Sequence, residues 1–119
     1  MIHDNILVDK SLEFAIRIVN CYKFLTENYK EFVMSKQLLR SGTSIGANIN
    51  EAIEGQSRAD FISKMNIALK EARETSYWLT LLYRTNYLED KIIRSMRNDI
   101  DEIIRILIAS IKTTKKNGL

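Results

Sequence analysis

Apolar residues recur every three or four positions along four stretches of the chain, and this spacing places them on one face of a helix. The pattern predicts helices over about residues 8–28, 32–54, 57–86 and 89–114. Short loops between long amphipathic helices give antiparallel neighbours. We therefore expect an all-α fold, an up-down-up-down antiparallel four-helix bundle that forms a single domain over residues 1–119. The predicted inward positions are Leu7, Phe14, Ile18, Tyr22, Leu25 and Tyr29; Met34, Leu38, Gly42, Ile45, Ile49 and Ala52; Phe61, Met65, Ala68, Ala72, Leu79 and Leu82; and Ile92, Met96, Ile100, Ile103, Ile104, Leu107 and Ile111.

The residues between these stretches predict where the helices end. The chain has no proline, so long helices can run without a break. Gly55 is expected to end the second helix in a left-handed conformation. Ser57 is expected to cap the third helix, with Asp60 favourable in its first turn. Asn86 marks a short turn before the fourth helix.

Composition limits the class of protein further. Hydrophobic residues make up 45% of the 119 residues, which fits one folded domain with a real core. The apolar runs are too short to span a membrane, and the N-terminus lacks the apolar region of a signal peptide. The single cysteine, Cys21, cannot form an internal disulfide, which suits a reducing compartment. We therefore expect a cytoplasmic protein.

Small and polar residues are concentrated in the second helix, around Ile45 and Ile49. Gly42 and Gly46 lie four apart, so a neighbouring helix can approach closely there. Serines on the flank of this stripe can bond back to the carbonyls of the preceding turn. The alternative is a polar strip that binds a ligand. We favour packing, because small residues are common at helix contacts.

This segment, QLLRSGTSIGANINEA, is followed by SRADFISKMNIALKEARETSYWL. Together they resemble the small bacterial four-helix-bundle proteins encoded within intervening sequences of 23S rRNA genes. That family is related to the accessory proteins of diversity-generating retroelements. The resemblance implies a homo-oligomer, most often a pentamer, with a basic surface. In the retroelement branch it implies binding to nucleic acid and to a protein partner, a reverse transcriptase. It supplies no catalytic residues.

The third helix is apolar on two faces, which a monomer does not explain. Besides its core stripe, Ile67, Trp78 and Leu81 gather on the opposite face, with Tyr77 beside them. A helix with two apolar faces is usually buried on both. Since tryptophan and tyrosine are enriched at protein interfaces, we expect this face to join copies of the chain.

Basic residues are concentrated on one side of the fourth helix. They fall within roughly a third of its circumference, with Asp90 and Asp101 among them. A smaller basic cluster lies on the third helix. We expect these cations to contact the phosphates of RNA or DNA, although an ordinary solvated helix face is the alternative. The fourth helix contributes Lys91, Arg94, Arg97, Arg105, Lys112, Lys115 and Lys116, and the third helix contributes Lys70, Arg73 and Arg84.

Two pairs of glutamates raise the possibility of an enzyme. Glu51 and Glu54, and then Glu71 and Glu74, resemble the carboxylate pairs with which all-helical nucleoside triphosphate pyrophosphohydrolases hold magnesium. A helical wheel aims both pairs away from the core stripes, and Glu74 replaces the aspartate of that pattern. We therefore expect no metal site here.

Other catalytic and cofactor sites find no support in the sequence. His3 is the only histidine, so neither a histidine triad nor a histidine-containing di-iron site can be assembled. Cys21 is expected to be a buried hydrophobic residue and not a reactive thiol. We expect a homo-oligomer without enzymatic activity or cofactor that binds RNA or DNA or acts as a scaffold. The alternatives are the magnesium-dependent hydrolase and an adaptor that binds only a protein partner.

Overall fold

The computed structural model describes the backbone of residues 2–117 and the side chains of residues 6–117. In this part of the chain there are four helices: α1 (Ile2–Tyr29), α2 (Met34–Glu54), α3 (Arg58–Arg84) and α4 (Asp90–Asn117). α1 begins and α4 ends beyond their predicted limits. Neither segment contains a proline or an internal glycine, so nothing in the sequence interrupts the helix there.

The four helices form an up-down-up-down antiparallel bundle, as predicted. α1 and α3 each pack against both α2 and α4, so α1 and α3 are diagonal to each other. The bundle measures 50 × 22 × 19 Å. Its core consists of the inward stripes of all four helices. No described helix is long and apolar enough to cross a bilayer. The largest fully buried side chains include Phe14, Ile18, Leu25, Leu38, Ile45, Met65, Leu79 and Ile100.

Gly42 lies where α1 and α2 come closest. A Cβ atom built on Gly42 would lie 2.7–2.9 Å from three side-chain carbons of Ile18 on α1. One on Gly46 would lie 3.2 Å from the Ser11 hydroxyl. The glycines therefore allow the two helices to pack closely, and this supports the packing interpretation of the small-residue segment.

The capping residues are partly as predicted. The Ser57 hydroxyl accepts a hydrogen bond from the Asp60 amide at 3.1 Å. Asn86 adopts φ 72° in the turn between α3 and α4. The prediction for Gly55 is wrong. Its φ is −64° and its ψ is 152°, which is extended backbone that any residue can adopt. The chain leaves α2 directly toward Ser57, so no left-handed residue is needed.

The start of α2 depends on a residue that the sequence analysis did not consider. α2 begins at Met34 and not near residue 32, and Val33 precedes it without a side-chain cap. Instead, the Glu31 carboxylate accepts hydrogen bonds from the amides of Ser35 at 2.7 Å, Met34 at 3.1 Å and Val33 at 3.2 Å. These are the free amides of the first turn, which otherwise have no partner in the helix.

Two predicted inward positions, Tyr29 and Ile92, are wrong, and both lie at one end of the bundle. Tyr29 is 48% exposed because α1 ends there, beyond the packed part of the core. Ile92 is 42% exposed, whereas its neighbour Ile93 is buried. The α4 stripe therefore starts at Ile93 and continues through Met96, a shift of one residue from the prediction. Tyr22, Met34, Phe61 and Ile104 are only half-buried.

Candidate nucleic-acid interface

The basic residues of α4 point into solvent along its length. Lys91, Arg94, Arg97, Arg105, Lys112 and Lys115 are all exposed, as is Lys116. Two of them are engaged within the bundle. The Arg94 Nε atom lies 2.7 Å from an Asp90 carboxylate oxygen, and Arg97 donates a hydrogen bond to the Thr80 hydroxyl of α3.

The basic residues of α3 adjoin those of α4. Lys70, Arg73 and Arg84 are exposed. The contact between Arg97 and Thr80, and the bond from the Tyr83 hydroxyl to Asp90 at 2.9 Å, join the two antiparallel helices side by side. On helical wheels, both basic clusters lie on the exposed side next to these contacts. The clusters therefore form one surface along the α3–α4 pair, which we call the basic face.

Most cations of the basic face are available to a ligand. Apart from Arg94, its members form no ion pair within 4 Å among the described residues. Arg105 and Lys112 are the clearest examples, since they lie in the middle of α4 and carry no hydrogen bond to the bundle in the described part. An exposed, unpaired cation can contact a phosphate without first breaking an ion pair.

The predicted interface residues of α3 divide into two groups. Tyr77 is 59% exposed and Ile67 is 38% exposed, so both can contact another molecule. Leu81 and Trp78 are half-buried, and Trp78 packs against the core of the same chain. The Trp78 indole also donates a hydrogen bond to Glu74 at 3.0 Å, and its ring contacts Tyr77 edge-on with centroids 5.1 Å apart. We call the surface formed by Ile67, Tyr77 and Leu81, with the Trp78 edge, the α3 patch.

A second apolar surface lies on α1 and was missed by the sequence analysis. Leu12 is 61% exposed and Ile16 is 54% exposed, and both lie on the side of α1 that faces away from the core. We call them the α1 patch. The sequence signal was present, because α1 carries apolar residues around much of its circumference. Only the polar residues on its outer side entered the prediction.

Three of the four glutamates in the two pairs bond to a cation of the bundle. Arg40 of α2 bonds to Glu71 at 3.0 Å and also to Glu74, while Glu51 lies 3.2 Å from Lys64. The prediction that Glu71 points away from the bundle is wrong: it is only 8% exposed and faces α2. Within the described residues, no group of three or more metal-ligating side chains comes together.

Cys21 lies at the base of an open groove between α1 and α4. The groove has a volume of about 430 Å³ and is lined mainly by apolar residues, including Phe24, Ile92 and Met96. Burial raises the pKa of the Cys21 thiol to about 11, although Arg17 nearby opposes this shift. A thiol with this pKa remains protonated at neutral pH, which fits the prediction of a structural cysteine. The His3 side chain lies outside the described residues.

The segment that carried the sequence resemblance matches a known family. Residues 3–109 match the family described as 23S rRNA-intervening sequence protein. The chain belongs to this family. The match includes all of α2 and α3 and most of α1 and α4, and therefore includes both apolar patches and the basic face up to Arg105, whereas Lys112, Lys115 and Lys116 lie beyond it.

A solved structure of a similar protein has the same fold. It is the crystal structure, at 1.70 Å resolution, of a protein of unknown function from the S23 ribosomal protein family of Bacteroides thetaiotaomicron VPI-5482. That protein is 65% identical to this chain, with a TM-score of 0.91. The similarity covers 92% of this chain and 98% of the other. No curated protein matches the chain.

Proposed function

We propose that this protein is a non-enzymatic, cytoplasmic homo-oligomer that binds RNA or DNA through the phosphate backbone. The observation that carries the proposal is the basic face. It gathers ten cations from two adjacent helices, Lys70, Arg73, Arg84, Lys91, Arg94, Arg97, Arg105, Lys112, Lys115 and Lys116, and all of them are exposed. Such a surface follows a backbone by charge and carries no set of side chains suited to reading base edges.

Self-association strengthens this proposal, because one copy of the chain is a weak binder. The chain carries a net charge of only +3, so the attraction between one subunit and a nucleic acid is modest. A ring would bring several basic faces onto one assembly. Simultaneous contacts then raise the overall affinity without any new chemistry.

The two apolar patches support an assembly in which unlike surfaces meet. α1 and α3 are diagonal in the bundle, so the α1 patch and the α3 patch point away from each other. We propose that the α3 patch of one copy contacts the α1 patch of the next. A contact between two different surfaces repeats around a ring when its rotation closes. A pentamer is the arrangement that the family resemblance favours.

Binding is tested by measuring affinity for duplex DNA and for single-stranded RNA as a function of salt. Each neutralised phosphate releases condensed counterions, so the logarithm of the affinity should fall steeply and linearly with the logarithm of the salt concentration. We expect Arg105→Gln with Lys112→Gln to weaken binding to both ligands and to reduce the duplex salt slope by about 2 for each engaged subunit.

The matched control removes two other positive charges. Lys10→Gln with Lys64→Gln makes the same change in net charge, but these lysines pair with Glu102 and Glu51 and are not members of the basic face. We expect the control to leave affinity and slope close to those of the wild type. If the wild type binds neither ligand at low salt, or if both double variants weaken binding equally, the basic face is only a solvated surface. In that case the function would be that of a scaffold or of an adaptor that binds a protein partner.

The hydrolase alternative is not favoured by the arrangement of its carboxylates. Arg40 bonds to both glutamates of the α3 pair, and Lys64 pairs with Glu51 of the α2 pair. A magnesium ion would have to displace Arg40 before it could bind Glu71 and Glu74. Magnesium-dependent hydrolysis of a nucleoside triphosphate by the pure protein, abolished by Glu71→Gln, would contradict the non-enzymatic proposal.

A further inference from the structure

One end of the bundle carries exposed aromatic rings, and beside them the half-buried Tyr87 packs against the core. Because the helices are antiparallel, the loops at residues 30–33 and 85–89 both lie at this end. Phe24 is 43% exposed, Tyr29 48% and Phe32 56%. The Tyr29 ring contacts Phe24 edge-on at 5.7 Å and Tyr87, from the other loop, at 5.4 Å. We call these four residues the aromatic end.

The ring of Tyr29 is held in place by its two neighbours. Its planes with Phe24 and Tyr87 differ by 66° and 82°, so both contacts are edge contacts of the T-shaped kind. Such contacts fix the orientation of a ring without covering it as a parallel stack does. Tyr29 is therefore a positioned but half-exposed aromatic surface. Phe24 continues this surface into the apolar groove between α1 and α4.

Unpaired lysines lie next to these aromatic residues along the chain. Lys23, Lys30 and Lys36 are exposed and form no ion pair within 4 Å among the described residues. Of the acids nearby, Glu27 and Glu89 are exposed, and Glu89 lines the groove beside Phe24. The Glu31 carboxylate instead accepts hydrogen bonds from the amides of Val33, Met34 and Ser35. Arg84, at the last turn of α3, belongs to the basic face and lies at the same end of the bundle.

We propose that the aromatic end binds single-stranded nucleic acid by stacking unpaired bases on Tyr29 and Phe32, with Lys23, Lys30 and Lys36 contacting the adjoining phosphates. This inference rests on the proposed function and specifies its substrate class. Aromatic side chains beside cations are the arrangement that binds single strands without reading sequence, because every base has a π-face. In a duplex, the base faces are already stacked on each other and cannot reach these rings.

The charge of this end favours nucleic acid over a protein partner. Protein interfaces are depleted of lysine at their centres. Here three unpaired lysines are interleaved with the rings, so a protein docked on the rings would have to bury or displace them. A phosphate backbone uses the same lysines directly. The aromatic end also adjoins the basic face through Arg84, so a strand can continue from one surface to the other.

The test compares three ligands of equal length: a twelve-residue oligothymidine strand, a strand of twelve abasic sites and a twelve-base-pair duplex. Tyr29→Leu with Phe32→Leu removes both rings but keeps apolar side chains at exposed positions, and circular dichroism checks that the bundle is intact. We expect this variant to bind the oligothymidine about tenfold more weakly. Its affinity for the abasic strand and the duplex should stay within twofold of the wild type.

A swap variant, Tyr29→Phe with Phe32→Tyr, keeps both rings and is the matched control. It should bind all three ligands like the wild type. Equal losses on the oligothymidine and the abasic strand, or no loss on either, would overturn stacking. So would a leucine variant whose assembly mass changes, since the aromatic end would then be a contact between copies.

The same ligands separate this inference from the proposed function. One outcome is that Arg105→Gln with Lys112→Gln weakens the binding of all three ligands while Tyr29→Leu with Phe32→Leu binds them like the wild type. In that case the basic face binds nucleic acid, and only the stacking inference fails. If the wild type binds none of the three ligands, the proposed function fails as well.

Discussion

At the scale of single residues, Gly42 determines how closely α1 and α2 approach. An alanine Cβ there would lie within 3.0 Å of three carbons of Ile18, which is closer than side-chain carbons pack. Gly46 has more space, since its nearest neighbour would be the Ser11 hydroxyl at 3.2 Å. The two glycines therefore differ in steric tolerance, although both lie within one helix.

We predict that Gly42→Ala destabilises the protein by about 1–2 kcal/mol, because overpacking outweighs the gain in helix propensity. Gly46→Ala is the control and should change the free energy of unfolding by less than about 0.5 kcal/mol, because the gain in helix propensity offsets the tight contact with Ser11. Urea denaturation measures both. A double-mutant cycle with Ile18→Ala identifies the cause, because shortening Ile18 should relieve the clash and make the two changes non-additive. Additive effects would show that the clash is not the cause.

Glu71 shows why the surroundings of a single residue are hard to predict. A helical wheel of α3 places it outside the apolar stripe, and yet it is buried against α2. The small residues of α2 bring the two helices together here: the Thr75 hydroxyl donates to the Ser41 hydroxyl at 2.9 Å. Arg40 then reaches across to Glu71 at 3.0 Å. The wheel describes one helix, whereas burial depends on the distance to the next.

At the scale of elements, the start of α2 depends on the Glu31 carboxylate. Partial burial opposes ionisation of this group, but the bonds from the amides of Ser35, Met34 and Val33 outweigh it and lower the pKa of Glu31 below its ordinary value of 4.5. Because the folded pKa is the lower one, the carboxylate contributes its full stabilisation above pH 4.5. This contribution is lost as the pH falls through the folded pKa.

We predict that Glu31→Gln lowers the free energy of unfolding by about 1 kcal/mol at pH 7, the usual effect of losing a helix cap. The difference between variant and wild type should shrink as the pH falls below the folded pKa, where the wild-type carboxylate is also uncharged. Thermal unfolding at pH 7 and at successively lower pH values measures this. Glu27→Gln, an exposed neighbour at the end of α1, is the control. A difference that stays constant across this range would contradict a charge-dependent cap.

At the scale of the whole molecule, the two apolar patches make assembly testable. We predict that Ile67→Glu with Tyr77→Glu, which disables the α3 patch, lowers the mass measured by light scattering to the 13.8 kDa of one chain. Leu12→Glu with Ile16→Glu, which disables the α1 patch, should do the same. All four residues are exposed, so circular dichroism should show an intact bundle for both variants. A wild type that is monomeric at micromolar concentrations would contradict the assembly.

Mixing the two variants distinguishes contacts between unlike surfaces from contacts between like ones. Each variant retains one intact patch, and these are complementary, so the mixture should form a dimer of twice 13.8 kDa and no larger species. If the α3 patch instead bound another α3 patch, the variant lacking only the α1 patch would dimerise by itself.

The sequence by itself determined the number of helices, their order and most of the core. Periodic apolar residues mark one face of a helix, and Ile45, Met65 and Ile100 are buried for this reason. It also placed the basic residues of α4 on one exposed side, because a charged side of an amphipathic helix follows from the same period. These features depend on the spacing within one helix.

Only the tertiary structure decided features that depend on two or more segments. It joined Lys70, Arg73 and Arg84 to the α4 cations, because the α3–α4 contact sets which sides adjoin. It directed Glu71 to Arg40 and Glu31 to the start of α2, and it brought Tyr29 beside Tyr87 at one end of the bundle. In each case the deciding quantity is a distance across helices or loops, which the period of a single helix does not contain.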